Sequence, residues 1–211
     1  MNIAWILLYT LITHGLEIVI FFKVDGIGLT FERIFKAFLF KILLAFVFLM
    51  IGYMVGDSFL FYFMEPLYGI GLSFLLLRGL PKKLLFFYGL FPMILVNLFY
   101  RGLSYFVLPF LGQGQVHDDY SLIWLCIIIL NFFISLVFLK WLDYDFTSLR
   151  REILDKAFQK SLTKINWIMG AYYLVIQTLS YFEYEQGIQS KTVRHLILVF
   201  YLLFFMGVIK K

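Results

Sequence analysis

The chain has 211 residues, of which 63% are hydrophobic and only 15% charged, with a formal net charge of +5. A soluble domain is nearer half apolar and a quarter charged, and a core of this size could not bury so many Phe, Leu and Ile side chains. The composition therefore excludes an ordinary water-soluble domain and points to lipid as the solvent for most of the surface.

Backbone in lipid must be helical or form a closed barrel. The apolar runs are continuous, near the length of a bilayer span and without alternation, so an all-α polytopic transmembrane bundle is expected. Seven spans are predicted: Ile3–Phe22, Ile34–Val55, Phe59–Leu77, Leu84–Tyr105, Leu122–Trp141, Ile165–Phe182 and His195–Ile209. The first lacks a preceding basic region and a small-residue cleavage site and carries Glu17, so it reads as a retained helix, not a signal peptide. The second begins with Lys36 and Lys41 already inside it, and the last is short for a span.

Asp143–Lys164 is the longest charged run and holds Arg150, Arg151, Lys156, Lys160 and Lys164. Lys and Arg concentrate on the cytoplasmic side of membrane proteins. With this run inside, the loops alternate: Lys23–Arg33, Arg78–Lys83 and the C-terminus are inside, and the N-terminus, Gly56–Ser58, Gly112–Ser121 and Glu183–Arg194 are outside. Of 18 Lys+Arg, only Arg101, Lys191 and Arg194 then fall at the outer face. Within the run, Leu149, Ile153, Leu154, Ala157, Phe158 and Leu162 recur at helical spacing, and Glu152 precedes Lys156 by four. An amphipathic helix on the inner leaflet is expected, with Thr147 or Ser148 capping its start. Its role is either a positive-inside anchor or a contact surface for a cytoplasmic domain.

Short connections restrict the packing. Arg78-Gly-Leu-Pro-Lys-Lys83 is a tight turn that makes spans three and four antiparallel neighbours, and Gly56-Asp57-Ser58 does the same for spans two and three. Gly52-x-x-x-Gly56 fits close helix approach.

Ionisable residues inside spans are costly and hence functional candidates. His14 and Glu17 share a face of the first span, where they are expected to lock packing as an interhelical hydrogen-bond pair. Glu65-Pro66 interrupts the third span, and Arg101, one turn beyond Asn97, could pair with Glu65. Pro92 and Pro109 suggest that Leu103–Leu111 bends back into the outer interface. Tyr173, Gln177 and Tyr181 share the outer half of the sixth span, and the outer loops add His117, Asp118, Asp119, Glu183 and Glu185. Counting Asp57, the outer face holds five carboxylates against three basic groups, a surface suited to a partly basic, partly aromatic peptide, or else ordinary solvated loop tips.

The single cysteine, Cys126, excludes an internal disulfide, and no metal-ligand spacing occurs. There is no phosphate loop, nucleophile elbow or dinucleotide fingerprint. No cofactor, metal or nucleic-acid partner is expected, and no catalytic residues.

Phe61-Tyr-Phe-Met-Glu-Pro-Leu-Tyr-Gly-Ile-Gly-Leu-Ser73, Arg78-Gly-Leu-Pro-Lys-Lys83 and Tyr184-Glu-Gln-Gly-Ile-Gln-Ser190 resemble the N-terminal sensor of streptococcal peptide-pheromone receptor histidine kinases, nearest the bacteriocin-inducing type. The resemblance implies a plasma-membrane domain of six or seven helices that binds a secreted peptide pheromone outside. It also implies a homodimer, and a response regulator reached through a kinase that follows the last span. The kinase boxes are absent from these 211 residues, which stop at Lys210-Lys211 where that cytoplasmic helix begins, so this chain is expected not to transfer phosphate. A small transporter or transporter subunit, with Glu17, Glu65 and Arg101 lining a pathway, is the alternative.

Overall fold

The computed structural model describes residues 3–55, 63–107, 120–143, 145–185 and 199. Among them the fold is a bundle of helices with no strand: α1 Ile3–Asp25, α2 Phe31–Val55, α3 Met64–Leu76, α4 Lys82–Val107, α5 Tyr120–Leu142, α6 Leu149–Glu152 and α7 Lys156–Glu185. Three of these are long and apolar enough to cross a membrane over Phe31–Val55, Lys82–Leu103 and Leu125–Leu142. Span seven, apart from helical Val199, lies outside the described residues, as do Gly56–Ser58 and the continuation beyond Val107.

α4 is the central element. Its residues Leu84, Tyr88, Ile94, Leu95 and Leu98 are fully buried, because α1, α3, α5 and α7 all pack on it. The second half of α1 is mostly buried, with Ile18, Ile20, Phe21, Phe22 and Val24 closed off from solvent and Lys23 exposed. It stops where Gly26 takes φ +63 and the Ile27 amide reaches back to the Phe22 carbonyl (3.0 Å). That is a left-handed glycine closure of the helix end.

α2 is the opposite case. Only Ala37, Lys41 and Phe48 are buried, one narrow stripe, while Phe35, Ile42, Phe46 and Met50 are exposed and Tyr53 is 88% exposed. Monomeric soluble proteins rarely leave so broad an apolar face to water. In hydrocarbon the same surface is solvated, and only the stripe needs partners.

The turn Arg78–Lys83 makes α3 and α4 antiparallel neighbours, as its sequence predicts. Gly79 supplies φ +93, and the amides of Leu84 and Leu85 bond to the Pro81 carbonyl (2.9 and 3.2 Å). The close helix contact lies here, at Gly69 and Gly89, whose backbones touch. Gly52 is half-buried on the outward-facing α2, and Gly56 lies outside the described residues. Ser73 Oγ donates to the Leu85 carbonyl across the same contact (2.6 Å). Pro66 sits in the first turn of α3, where an amide N–H has no intrahelical acceptor to lose, and the part of the predicted span before Phe63 lies outside the described residues.

The amphipathic helix expected over Asp143–Lys164 is not one helix. Asp143 takes φ 44, a 3-10 turn covers Phe146–Ser148, α6 is four residues long, and the chain breaks again before α7. The caps explain this. Asp145, not Thr147 or Ser148, is the first cap, accepting from the Thr147 amide (3.0 Å) and hydroxyl (2.6 Å). These bonds hold its carboxyl below the usual range. Asp155 restarts the helix by accepting from the Ala157 amide (3.0 Å). Glu152 and Lys156 thus fall on either side of a break. Leu149, Ile153 and Leu162 do face inward and Phe158 is half-buried, but Leu154 and Ala157 are exposed. Lys156, Lys160 and Lys164 begin the long α7, which at 30 residues and 1.5 Å rise extends about 45 Å.

This segment is stapled to the bundle end. Arg150 donates to the Asp25 carbonyl, Tyr88 Oη donates to the Phe146 carbonyl (2.6 Å), and Asn166 Nδ2 donates to the Lys83 carbonyl (2.8 Å). The basic stretches around Lys23–Arg33, Arg78–Lys83 and Arg150–Lys164 therefore gather at one end.

Candidate functional site

A charged cluster sits inside the bundle. α1 contributes His14 and Glu17, α2 contributes Lys41 and α3 contributes Glu65. The Lys41 ammonium bonds both Glu65 carboxylate oxygens (2.6 and 2.7 Å) and lies 3.5 Å from Glu17 Oε2. His14 Nδ1 donates to the same Glu17 oxygen (3.0 Å), a bond within α1, while the bond from Lys41 to Glu17 is the interhelical one. The ammonium also lies 4.3 Å from the centre of the Tyr68 ring, a cation–π contact. Tyr68 is held by its own bond to the Ala37 carbonyl (3.3 Å).

The cluster's depth follows from helix rise. Glu17 is eight residues before the end of α1, and Lys41 ten after the start of α2, or about 12 to 15 Å from the basic end. That distance equals half of the roughly 30 Å hydrocarbon layer of a bilayer. A buried ion pair at such a depth survives only when each charge is matched. Lys41 is 4% exposed, so the sequence-based assignment of this lysine to the basic inner face is corrected: it points into the protein.

The Glu65–Arg101 salt bridge expected from sequence is likewise replaced. Glu65 pairs with Lys41, while Arg101 Nε donates to Asn97 Oδ1 (2.9 Å) and its Nη2 lies 3.5 Å from Gln177 Oε1. Tyr172 Oη also reaches Asn97 Oδ1 (3.4 Å). The reason is that Lys41 extends from the one buried stripe of α2 towards both α1 and α3, between two carboxylates that each need a cation.

Beside the cluster lies a cavity of about 210 Å³, walled by five helices. Glu17, Glu65, Asn97, Asn131 and Tyr173 supply its polar lining; Tyr100 and Phe132 supply aromatic walls. Of the residues singled out from sequence, Glu17, Glu65, Asn97 and Tyr173 line this cavity together; Arg101 joins it through Asn97, and Gln177 through Arg101. Tyr181, Glu183 and Glu185 lie on the last turns of α7, and their side chains are outside the description. His117, Asp118 and Asp119 lie outside the described residues.

Two contributors escaped the sequence reading. Lys41 was counted only by its position in the chain. Asn131, the lone amide in the α5 run, donates to the Val96 carbonyl (3.0 Å) and accepts from Ser135 Oγ (3.4 Å). A polar side chain in the middle of an apolar span was the available signal.

His14, Glu17 and Glu65 also offer three potential metal-ligand atoms within 4.8 Å of one another. Sequence spacing did not reveal this group because Glu65 comes from another helix. The Lys41 ammonium already supplies positive charge to both carboxylates, so the donor set fits an internal ion pair better than a resident metal. A second, almost wholly apolar groove of about 700 Å³ runs between α3, α4 and α7, past Leu67, Phe86, Leu90 and Trp167.

Comparison with known proteins finds no matching family model, no matching curated protein and no matching solved structure.

Proposed function

We propose that this chain is the peptide-sensing part of a membrane receptor. It crosses the bacterial plasma membrane seven times, with its N-terminus outside and its basic end in the cytosol. A secreted peptide engages the outer half, and the last helix carries the response to a histidine kinase and, through it, to a response regulator. The chain itself is a binding module and not an enzyme.

The observation that carries this reading is the gathering of Glu65, Asn97, Arg101, Tyr173 and Gln177, from three helices, about one cavity. A receptor needs a ligand site whose occupancy favours one helix packing over another, and differences of a few kcal/mol suffice. Arg101 links α4 to α7 through Gln177, so a ligand that takes this arginine's bonds alters how α7 sits on α4.

With the chain joined to a kinase output, Arg101→Ala is expected to raise the peptide concentration for half-maximal response about tenfold or more. That is the equivalent of one charge-assisted hydrogen bond. Membrane abundance should be unchanged. An unaltered dose response would remove Arg101 from the site, and no response to any secreted peptide would refute the sensor reading.

A transporter is the second reading, favoured by the Glu17–Lys41–Glu65 cluster near mid-depth, where transport pathways place their ionisable groups. Solute accumulation in proteoliposomes distinguishes the two, since a sensor gives ligand binding without flux.

A further inference from the structure

The geometry points to the apolar groove between α3, α4 and α7 as the seat of one anionic phospholipid, with an acyl chain along the groove and the phosphate at Lys82 and Lys83. The inference goes beyond the sensor and transporter readings and requires only that the basic end meet a membrane surface.

Three observations carry it. First, the groove has the shape of a tail site. It holds about 700 Å³ and opens on the outside of the bundle, where Leu67, Trp167 and Leu174 are exposed. It follows α4 from Lys82 to Leu90 and α7 from Asn166 to Leu174, about 12 Å along each. That approaches the half-thickness of a hydrocarbon layer of about 30 Å, the depth that one leaflet's chains fill. Gly170 keeps the groove open, since a Cβ there would meet nothing within 4 Å.

Second, charge marks one end only. Lys82 and Lys83 line the groove where it reaches the basic end, and both are exposed. Neither has a carboxylate partner among the described residues. They occupy the first turn of α4, which holds no acidic residue and where the helix dipole already adds positive charge. An anionic headgroup is the complementary occupant. A second copy of the chain is disfavoured by the same charge, because a two-fold arrangement sets these lysines against their own counterparts.

Third, polar groups stand at headgroup depth. Asn166 Nδ2 donates to the Lys83 carbonyl (2.8 Å), which sets Asn166 and Trp167 level with the lysines. Tryptophan favours the membrane–water interface. Asn166 Oδ1 has no hydrogen-bond partner among the described residues, which leaves it open to a headgroup hydroxyl.

The test titrates the full chain, freed of lipid in dodecyl maltoside, with dioleoylphosphatidylglycerol or dioleoylphosphatidylcholine. Bound lipid is counted by native mass spectrometry. The two lipids share their tails and differ in net head charge. One phosphatidylglycerol should be retained at a concentration about tenfold below that needed for phosphatidylcholine. Lys82→Gln with Lys83→Gln should bring the two lipids to within about twofold of each other. Lys156→Gln with Lys160→Gln is the control: it removes two exposed lysines from the same end, outside the groove, and should leave the preference intact. Gly170→Leu should weaken both lipids severalfold by filling the tail site. Elution volume checks the fold of each variant, and the lysine pairs decide by themselves if Gly170→Leu aggregates.

Equal retention of the two lipids by the parent, equal loss in the two lysine pairs, or full retention in folded Gly170→Leu would each overturn the inference. A dimer that excludes phosphatidylglycerol and comes apart in Gly170→Leu would overturn it too, by giving the groove to a second copy.

Discussion

Lys41→Met is expected to destabilise the bundle by about 3 to 5 kcal/mol, the usual consequence of removing one partner from a buried ion pair. The ammonium lies 2.6 Å from Glu65 and 3.5 Å from Glu17. His14 reaches only Glu17 among the described contacts. Without Lys41, two carboxylates face each other in the apolar interior. The stacking of Tyr68 beneath the ammonium is lost as well. Thermal unfolding in mild detergent should show a large fall in midpoint and a smaller monodisperse fraction. Adding Glu17→Gln and Glu65→Gln to Lys41→Met should restore most of the loss, because neutral groups of similar shape replace a charge cluster at little net cost. A midpoint equal to the parent's in Lys41→Met alone would show that the cluster is not where the structure puts it.

Gly69→Ala is the second large effect. A Cβ at Gly69 would lie 2.2 Å from the Gly89 carbonyl oxygen and 2.7 Å from Met93 Cγ. The first neighbour is backbone and cannot rotate aside. α3 and α4 must separate, and with them goes the Ser73–Leu85 hydrogen bond. Overpacking of this kind costs about 1 to 3 kcal/mol and sometimes more. In lipid there is no hydrophobic drive to hold separated helices together, so close packing is most of what joins them. Gly170→Ala is the control. Nothing lies within 4 Å of its added Cβ, and alanine favours helix by about 1 kcal/mol. Gly69→Ala should therefore lower the unfolding midpoint while Gly170→Ala leaves it level or raises it. Equal behaviour of the two would contradict the α3–α4 contact.

Features fixed by nearby residues were legible in the sequence. The apolar runs gave the helices, the glycine and proline of Arg78–Lys83 gave the α3–α4 turn, and the i, i+3 spacing put His14 and Glu17 on one face. What depended on rotation about a helix axis was not legible. Lys41 sits at the start of an apolar run, where a lysine normally marks the interface, and nothing local says that it lies on the single buried stripe of α2. Once it is there, it takes Glu65, and Arg101 bonds Asn97 and Gln177. Gly52 and Gly56 match a spacing rule, but the backbones that meet belong to Gly69 and Gly89 on neighbouring helices. Asp155 interrupts a periodic apolar pattern that reads as continuous, because capping its own Ala157 amide favours a fresh helix start there.

The candidate site divides in the same way. Glu65, Asn97, Arg101, Tyr173 and Gln177 were visible as polar residues in apolar spans. The cavity that Glu65, Asn97 and Tyr173 share with Glu17 and Asn131 was not, since five helices assemble it.

The central claim is that lipid surrounds this bundle and that its basic end faces the cytosol. Single-cysteine labelling with a membrane-impermeant maleimide, in a Cys126→Ser background, tests both parts. Lys160→Cys should react only after the membrane is opened. Phe46→Cys should resist the reagent on either side, although Phe46 is 61% exposed on the protein surface, because hydrocarbon covers it. Labelling of Lys160→Cys in intact cells, or ready labelling of Phe46→Cys, would contradict the account.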